Sequence, residues 1–157
     1  MIILRGADVA AKIKEEIDEG IRKLDGCIPK LAIVRVGSRP DDVSYERGAL
    51  KKMEKLGLRA EAYAFPEDIS DEEFKKEFSR INGDSAVDGI LLLRPLPRQI
   101  REKDIEKMIL PEKDLDGISP ENIAKVFAGD RGGFAPCTAE AVIEVLKAND
   151  ILQKERG

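Results

Sequence analysis

The chain has 157 residues, enough for one domain with a real core and too few for two of ordinary size. Its net charge is −4, with basic residues scattered among acidic ones, a balance that gives no footing for nucleic acid or an anionic membrane as a partner. There is no histidine, and the two cysteines, Cys27 and Cys137, have no metal-ligand spacing. A His-based triad and a disulfide framework are therefore excluded, no metal site is expected, and acid–base work falls to Asp, Glu, Lys or Tyr. No apolar run reaches membrane-span length and no secretory signal is visible, so a reduced cytoplasm is the expected location.

In chain order, the first predicted helix runs from about Ala7 to Leu24, with Val9, Ile13, Ile17, Ile21 and Leu24 along one face. Lys30 to Val36 reads as a compact apolar strand closed by Gly37. Tyr45, Ala49, Met53 and Leu56 fall on one stripe of a second helix that Gly57 ends, and Arg59 to Phe65 alternates as a strand. Ser70-Asp71-Glu72-Glu73 is a capping box, opening a helix whose apolar stripe is Phe74, Phe78 and Ile81.

Val87 to Leu93 contains the unbroken run Ile90 to Leu93, the pattern of a strand buried on both faces of a parallel sheet. A short helix is expected near Lys103 to Ile109, and Ser119-Pro120 starts another. Thr138 is expected to cap the last, with Val142, Val145 and Leu146 turned inward. Strands alternating with helices predict the α/β class: a three-layer α/β/α domain with a mostly parallel sheet, spanning residues 1–157. Ligands of such sheets sit beyond the carboxyl ends of the strands, where Gly37 to Tyr45 and Arg94 to Pro97 both fall.

Three short segments are hard to explain by packing alone. They are Gly89-Ile90-Leu91-Leu92-Leu93-Arg94-Pro95-Leu96-Pro97, the acidic turn Pro111-Glu112-Lys113-Asp114-Leu115-Asp116-Gly117, and Pro136-Cys137-Thr138. Their order and composition resemble the folate-binding half of the methylenetetrahydrofolate dehydrogenase/cyclohydrolase family. That family's segments read G-I-L-V-Q-L-P-L-P, P-x-K-D-V-D-G and P-C-T-P, and Val36-Gly37-Ser38-Arg39-Pro40 is similar to its V-G-x-x-P loop. The resemblance covers nearly the whole chain and implies a fold like the N-terminal domain of amino-acid dehydrogenases.

The resemblance also implies roles for individual residues. Tyr45 would stack on the flat pterin and aminobenzoate of folate, a task suited to a ring with an apolar face and a polar tip. Taken alone, Tyr45 also reads as a helix residue packing on the core. Asp116 would hold the polar edge of the pterin, since a carboxylate accepts paired hydrogen bonds from an amino-pyrimidine, and Gly117 would permit the turn that aims it. D-x-D-G is also a good turn sequence in its own right. Tyr45 and Asp116 are the expected catalytic-site residues. Leu92, Leu93, Arg94, Pro136, Cys137 and Thr138 would complete the folate site, with Cys137 a small buried residue and not a nucleophile.

Two departures from the family pattern matter most. Four residues after its Tyr the family places a catalytic Lys, and here that position is Ala49. The strand Gln that hydrogen-bonds that Lys is here Leu93. A buried Gln without its Lys would be an unsatisfied polar group, so the two changes read as the coordinated loss of one function. Lys52, about two turns beyond Tyr45, is a weak substitute candidate, its plainer reading being a surface lysine in a charged run. Arg94 is either a new cation for the ligand or a solvated strand-end arginine. Ala139 replaces the last Pro of P-C-T-P.

The activity so implied is oxidation of 5,10-methylenetetrahydrofolate by NADP or NAD, with the cyclohydrolase step put in question by Ala49 and Leu93. No G-x-G-x-x-G occurs in the sequence, so the cofactor is expected on a domain not present here and the isolated chain is expected to be inactive. Family members are commonly dimeric, which implies a homodimer for the full-length parent. The alternative is a non-catalytic module that binds folate or pairs with another subunit.

Overall fold

The computed structural model describes residues 6–149 and 151. In chain order the elements are α1 (Ala7–Lys23), β1 (Lys30–Val36), α2 (Pro40–Lys55), β2 (Arg59–Phe65), α3 (Asp71–Gly83), β3 (Gly89–Leu92), α4 (Glu102–Met108), α5 (Pro120–Phe127) and α6 (Cys137–Ala148). They fall into two compact units, one spanning Ile28–Ala135 and the other containing α1 and α6.

The larger unit is built on a parallel sheet of order β2-β1-β3. Because alternate residues of a strand face opposite ways, β1 and β3 divide their apolar side chains between two layers. Ala32, Val34, Val36, Ile90 and Leu92 face Phe74, Phe78 and Ile81 of α3 and Ile105 of α4. Leu31, Ile33 and Leu93 take the other side, against Ala49, Leu50 and Met53 of α2. Helices on both faces of a parallel sheet make this unit the predicted three-layer α/β/α arrangement.

Local chemistry sets the helix ends. Ser70 Oγ accepts the Glu73 N–H at 3.2 Å while the Glu73 carboxylate accepts the Ser70 N–H, so the capping box forms as predicted. Gly57 ends α2 with φ 70°, its N–H on Glu54 O and the Leu58 N–H on Met53 O, a Schellman closure. Ser119 caps α5 through the Asn122 N–H, with Pro120 in the first turn.

Strand β3 is shorter than predicted. Val87 and Asp88 precede it, and Leu93 follows it while still donating to Val34 O at 2.9 Å. The edge of β3 away from β1 meets the acidic turn through a parallel bridge between Ile90 and Asp114, the Ile90 N–H donating to Lys113 O at 2.7 Å.

In the smaller unit, α1 and α6 pack on each other. Of the predicted α1 stripe, Val9 is buried, Ile17 and Ile21 are half-buried, and Ile13 and Leu24 are exposed. Thr138 is not the cap of α6. The helix begins at Cys137 with Pro136 at the N-cap, whose carbonyl accepts the Glu140 N–H at 3.0 Å, so the first turn closes earlier than a threonine cap requires. Val142 is exposed rather than turned inward, while Val145 and Leu146 are half-buried. Periodicity finds an apolar face but not what covers it.

Candidate functional site

A cleft of about 310 Å³ opens at the carboxyl end of the sheet, lined by Asp41, Asp42, Tyr45, Leu91, Leu92, Leu93, Arg94 and Asp116. A larger groove, about 550 Å³, lies at the opposite end, along Lys30, Leu50, Glu54, Leu58, Arg59, Ala60 and Glu61. Ligands of parallel α/β sheets bind beyond the carboxyl ends of the strands, which favours the first.

One wall comes from α2, which begins directly after β1. Pro40 starts the helix, and Asp41 and Asp42 occupy its first turn, where negative charge suits the helix dipole. Both Asp42 oxygens accept from the Arg39 guanidinium, at 2.7 and 3.0 Å, and this pairing raises the arginine pKa further. Arg35, on the α2 side of β1, donates to Glu46 at 2.8 Å and to Gly37 O, with the two paired side chains only 12% and 14% exposed. This ion pair pins the second turn of α2 to the strand end. Its neighbour Tyr45 is 59% exposed in the cleft.

The floor is Leu91 to Leu93. Arg94 follows, its guanidinium held by Glu102 at 3.5 Å and Glu106 at 3.3 Å, while the second Glu102 oxygen accepts the Leu96 N–H at 2.8 Å. Arg94 is thus both a cleft residue and a tether to α4. Among the described residues that line the cleft, it is the one cation.

The second wall is the acidic turn. Lys113 Nζ donates to the carbonyls of Asn82 and Asp84, at 2.8 and 2.7 Å. Leu115 sits against Gly89, where an added Cβ would meet it at 2.6 Å, so only glycine admits the turn this close to β3. Gly117 takes φ 62°, and Asp116, half-buried, lines the cleft.

Ala49 and Leu93 belong to one apolar cluster with Leu31, Ile33, Leu50 and Met53. Lys52 is exposed and is not among the cleft-lining residues. Pro136, Cys137 and Thr138 lie at the start of α6 in the other unit, and Cys137 is exposed, not buried as read from the sequence. Asp41, Asp42 and Leu91 are cleft residues that sequence reasoning missed. The available signal for the two aspartates was their place in the first turn of a helix leaving a strand end.

The model of the tetrahydrofolate dehydrogenase/cyclohydrolase catalytic domain matches residues 4–116. The chain belongs to that family. The bifunctional protein FolD of Alkaliphilus metalliredigens is 48% identical over 147 residues, covering 92% of this chain and 52% of that protein. Among solved structures, the bifunctional FolD enzyme of Campylobacter jejuni superposes with a TM-score of 0.91 at 35% identity, over 96% of this chain and 54% of that one. The Trypanosoma brucei FolD, solved with NADP and an inhibitor, gives a TM-score of 0.85 at 30% identity, over 95% and 52%. The chain spans about half the length of the curated relatives it matches. Among the described residues, no helix is long and apolar enough to cross a membrane.

Proposed function

We propose that this chain is the folate-binding half of a 5,10-methylenetetrahydrofolate dehydrogenase that lacks the cyclohydrolase step. The observation that carries the reading is the cleft itself. An exposed tyrosine, an apolar floor and a carboxylate on a fixed turn meet at the carboxyl end of the sheet, while Ala49 and Leu93 share a hydrocarbon cluster. A flat heteroaromatic with an amino edge suits such a site, stacking on Tyr45 and donating to Asp116.

The two reactions ask different things of the protein. Oxidation of the methylene bridge depends mostly on holding folate against a hydride acceptor, and orientation is what this cleft supplies. Hydration of the methenyl product to 10-formyltetrahydrofolate needs proton transfer. The family's Lys and Gln serve that step, and their positions here carry no donor or acceptor side chain. The acceptor would be NADP or NAD, as the NADP-bound trypanosome relative suggests. This sequence contains no glycine-rich phosphate turn to hold it, so another segment or subunit must. The same reading carries a cytoplasmic location and a homodimeric parent.

Calorimetric titration of the chain with a stable 5,10-bridged tetrahydrofolate analogue, beside Tyr45→Ala and Asp116→Ala, tests the site. Binding that both substitutions weaken is the expected result; binding indifferent to both places the ligand elsewhere. A folate-binding module without catalysis draws on the same apolar pair. Hydride transfer by the longer protein, when supplied with NADP or NAD, separates the two readings.

A further inference from the structure

Asp114 is fully buried and lies outside the cleft lining. Its Oδ1 accepts the Ile118 N–H at 3.0 Å, and its Oδ2 accepts the Ser119 N–H at 2.7 Å and Asn122 Nδ2 at 2.9 Å. The first two bonds straddle Asp116, closing a ring of chain around it. Asn122, also buried, extends the network by donating to Pro111 O at 2.9 Å and accepting the Phe134 N–H at 3.2 Å. These three partners of Asp114 are neutral N–H donors. A buried carboxylate is costly to leave short of a donor, so conformations that break any of these bonds are suppressed.

The neighbouring residues are fixed in other directions. Lys113 is tied to the carbonyls at the end of α3, and Leu115 is seated on Gly89. We infer that Asp114 is a positioning residue, whose buried hydrogen-bond network orders the turn and sets where Asp116 stands in the cleft. The inference rests on the folate reading for what Asp116 does, but not for how the turn is held.

Asp114→Asn keeps the shape and turns one acceptor into a donor that faces N–H groups. Two measurements on the intact chain test the inference. In the ligand-free protein, amide hydrogen exchange at Ile118 and Ser119 should accelerate about tenfold or more while Ile33 and Val34 in β1 stay protected. In calorimetry with the bridged analogue, Asp114→Asn should weaken binding about tenfold, yet cost less than about twofold more when Asp116 is already alanine. A merely structural residue would give additive losses in that cycle, and additivity would overturn the proposal. Unchanged exchange at Ile118 and Ser119 would overturn it as well. If the unsubstituted chain binds no analogue, the functional reading falls, and the exchange experiment alone decides whether Asp114 orders the turn. Should Asp114→Asn fail to fold, Asn122→Ala removes one of the three donors and is read in the same two ways.

Discussion

The acidic turn and the α2–β3 wall face one cleft and are held by different means. In the turn, Lys113, Asp114 and Asn122 satisfy carbonyls at the end of α3 and at Pro111 and N–H groups of Ile118, Ser119 and Phe134, and a parallel bridge joins it to β3. In the wall, Ala49, Leu50, Met53 and Leu93 meet as hydrocarbon, and the Arg35–Glu46 ion pair fastens the same helix to the strand end. Polar networks tolerate few arrangements because every member must be satisfied, whereas an apolar cluster constrains shape and volume but positions no charge. A site that only binds and orients needs the first kind of wall. A site that also moves protons needs a donor or acceptor at the reacting bond, and positions 49 and 93 offer none. The contrast explains why Leu is the sensible companion to Ala on the apolar side.

The largest expected effect attacks the network. Asn122→Leu would leave Asp114, the Pro111 carbonyl and the Phe134 N–H each short of a partner, and should cost about 3 kcal/mol in chemical denaturation. A loss near zero would mean the turn does not depend on these bonds. Next, Asp116→Ala should weaken binding of the bridged analogue by about 2 kcal/mol, the worth of hydrogen bonds to a charged group, with little change in melting temperature. Equal losses of binding and stability would blur the division between holding the turn and reading the ligand.

On the apolar wall, Leu93→Gln alone should destabilise by about 1–2 kcal/mol, because it puts an amide into hydrocarbon. Adding Ala49→Lys should return part of that cost, and a double-mutant cycle measures the coupling. Strict additivity would break the claim that the two positions changed together. The smallest effect is a control outside both regions. A hydrogen bond from Lys75 first, then one from the Arg101 N–H, holds Asp71 down at about 2 from its ordinary 3.8. A depressed folded-state pKa gives stability that is present above about pH 4 and lost as pH falls towards 2. Asp71→Asn should flatten that acid limb of the melting curve and leave the cleft variants' behaviour unchanged.

How much of this was legible beforehand depended on the range of the interaction. The capping box at Ser70, the left-handed closure at Gly57 and the compact apolar strand β1 are decided within a few residues, so composition and period sufficed. The family resemblance supplied Tyr45, Leu93, Arg94 and Asp116, which the cleft brings together. The Asp114–Asn122 network escaped because it joins residues 111, 114, 122 and 134, which meet only when α5 folds back over the turn. Thr138 misled because threonine is a good cap in general, while here the proline before Cys137 starts the helix sooner. Arg94 admits two readings from sequence, ligand cation or solvated strand-end arginine; in the structure it lines the cleft and is paired with Glu102 and Glu106.

The measurement that bears most directly on the central claim is hydrolysis of methenyltetrahydrofolate by the protein carrying this chain, compared with Ala49→Lys/Leu93→Gln. That reaction needs no nicotinamide, and the double substitution alters only the apolar cluster. The account predicts no acceleration above the uncatalysed rate by the native sequence, despite binding of the bridged analogue, and measurable hydrolysis once both residues are restored. Rapid hydrolysis by the native sequence would contradict it.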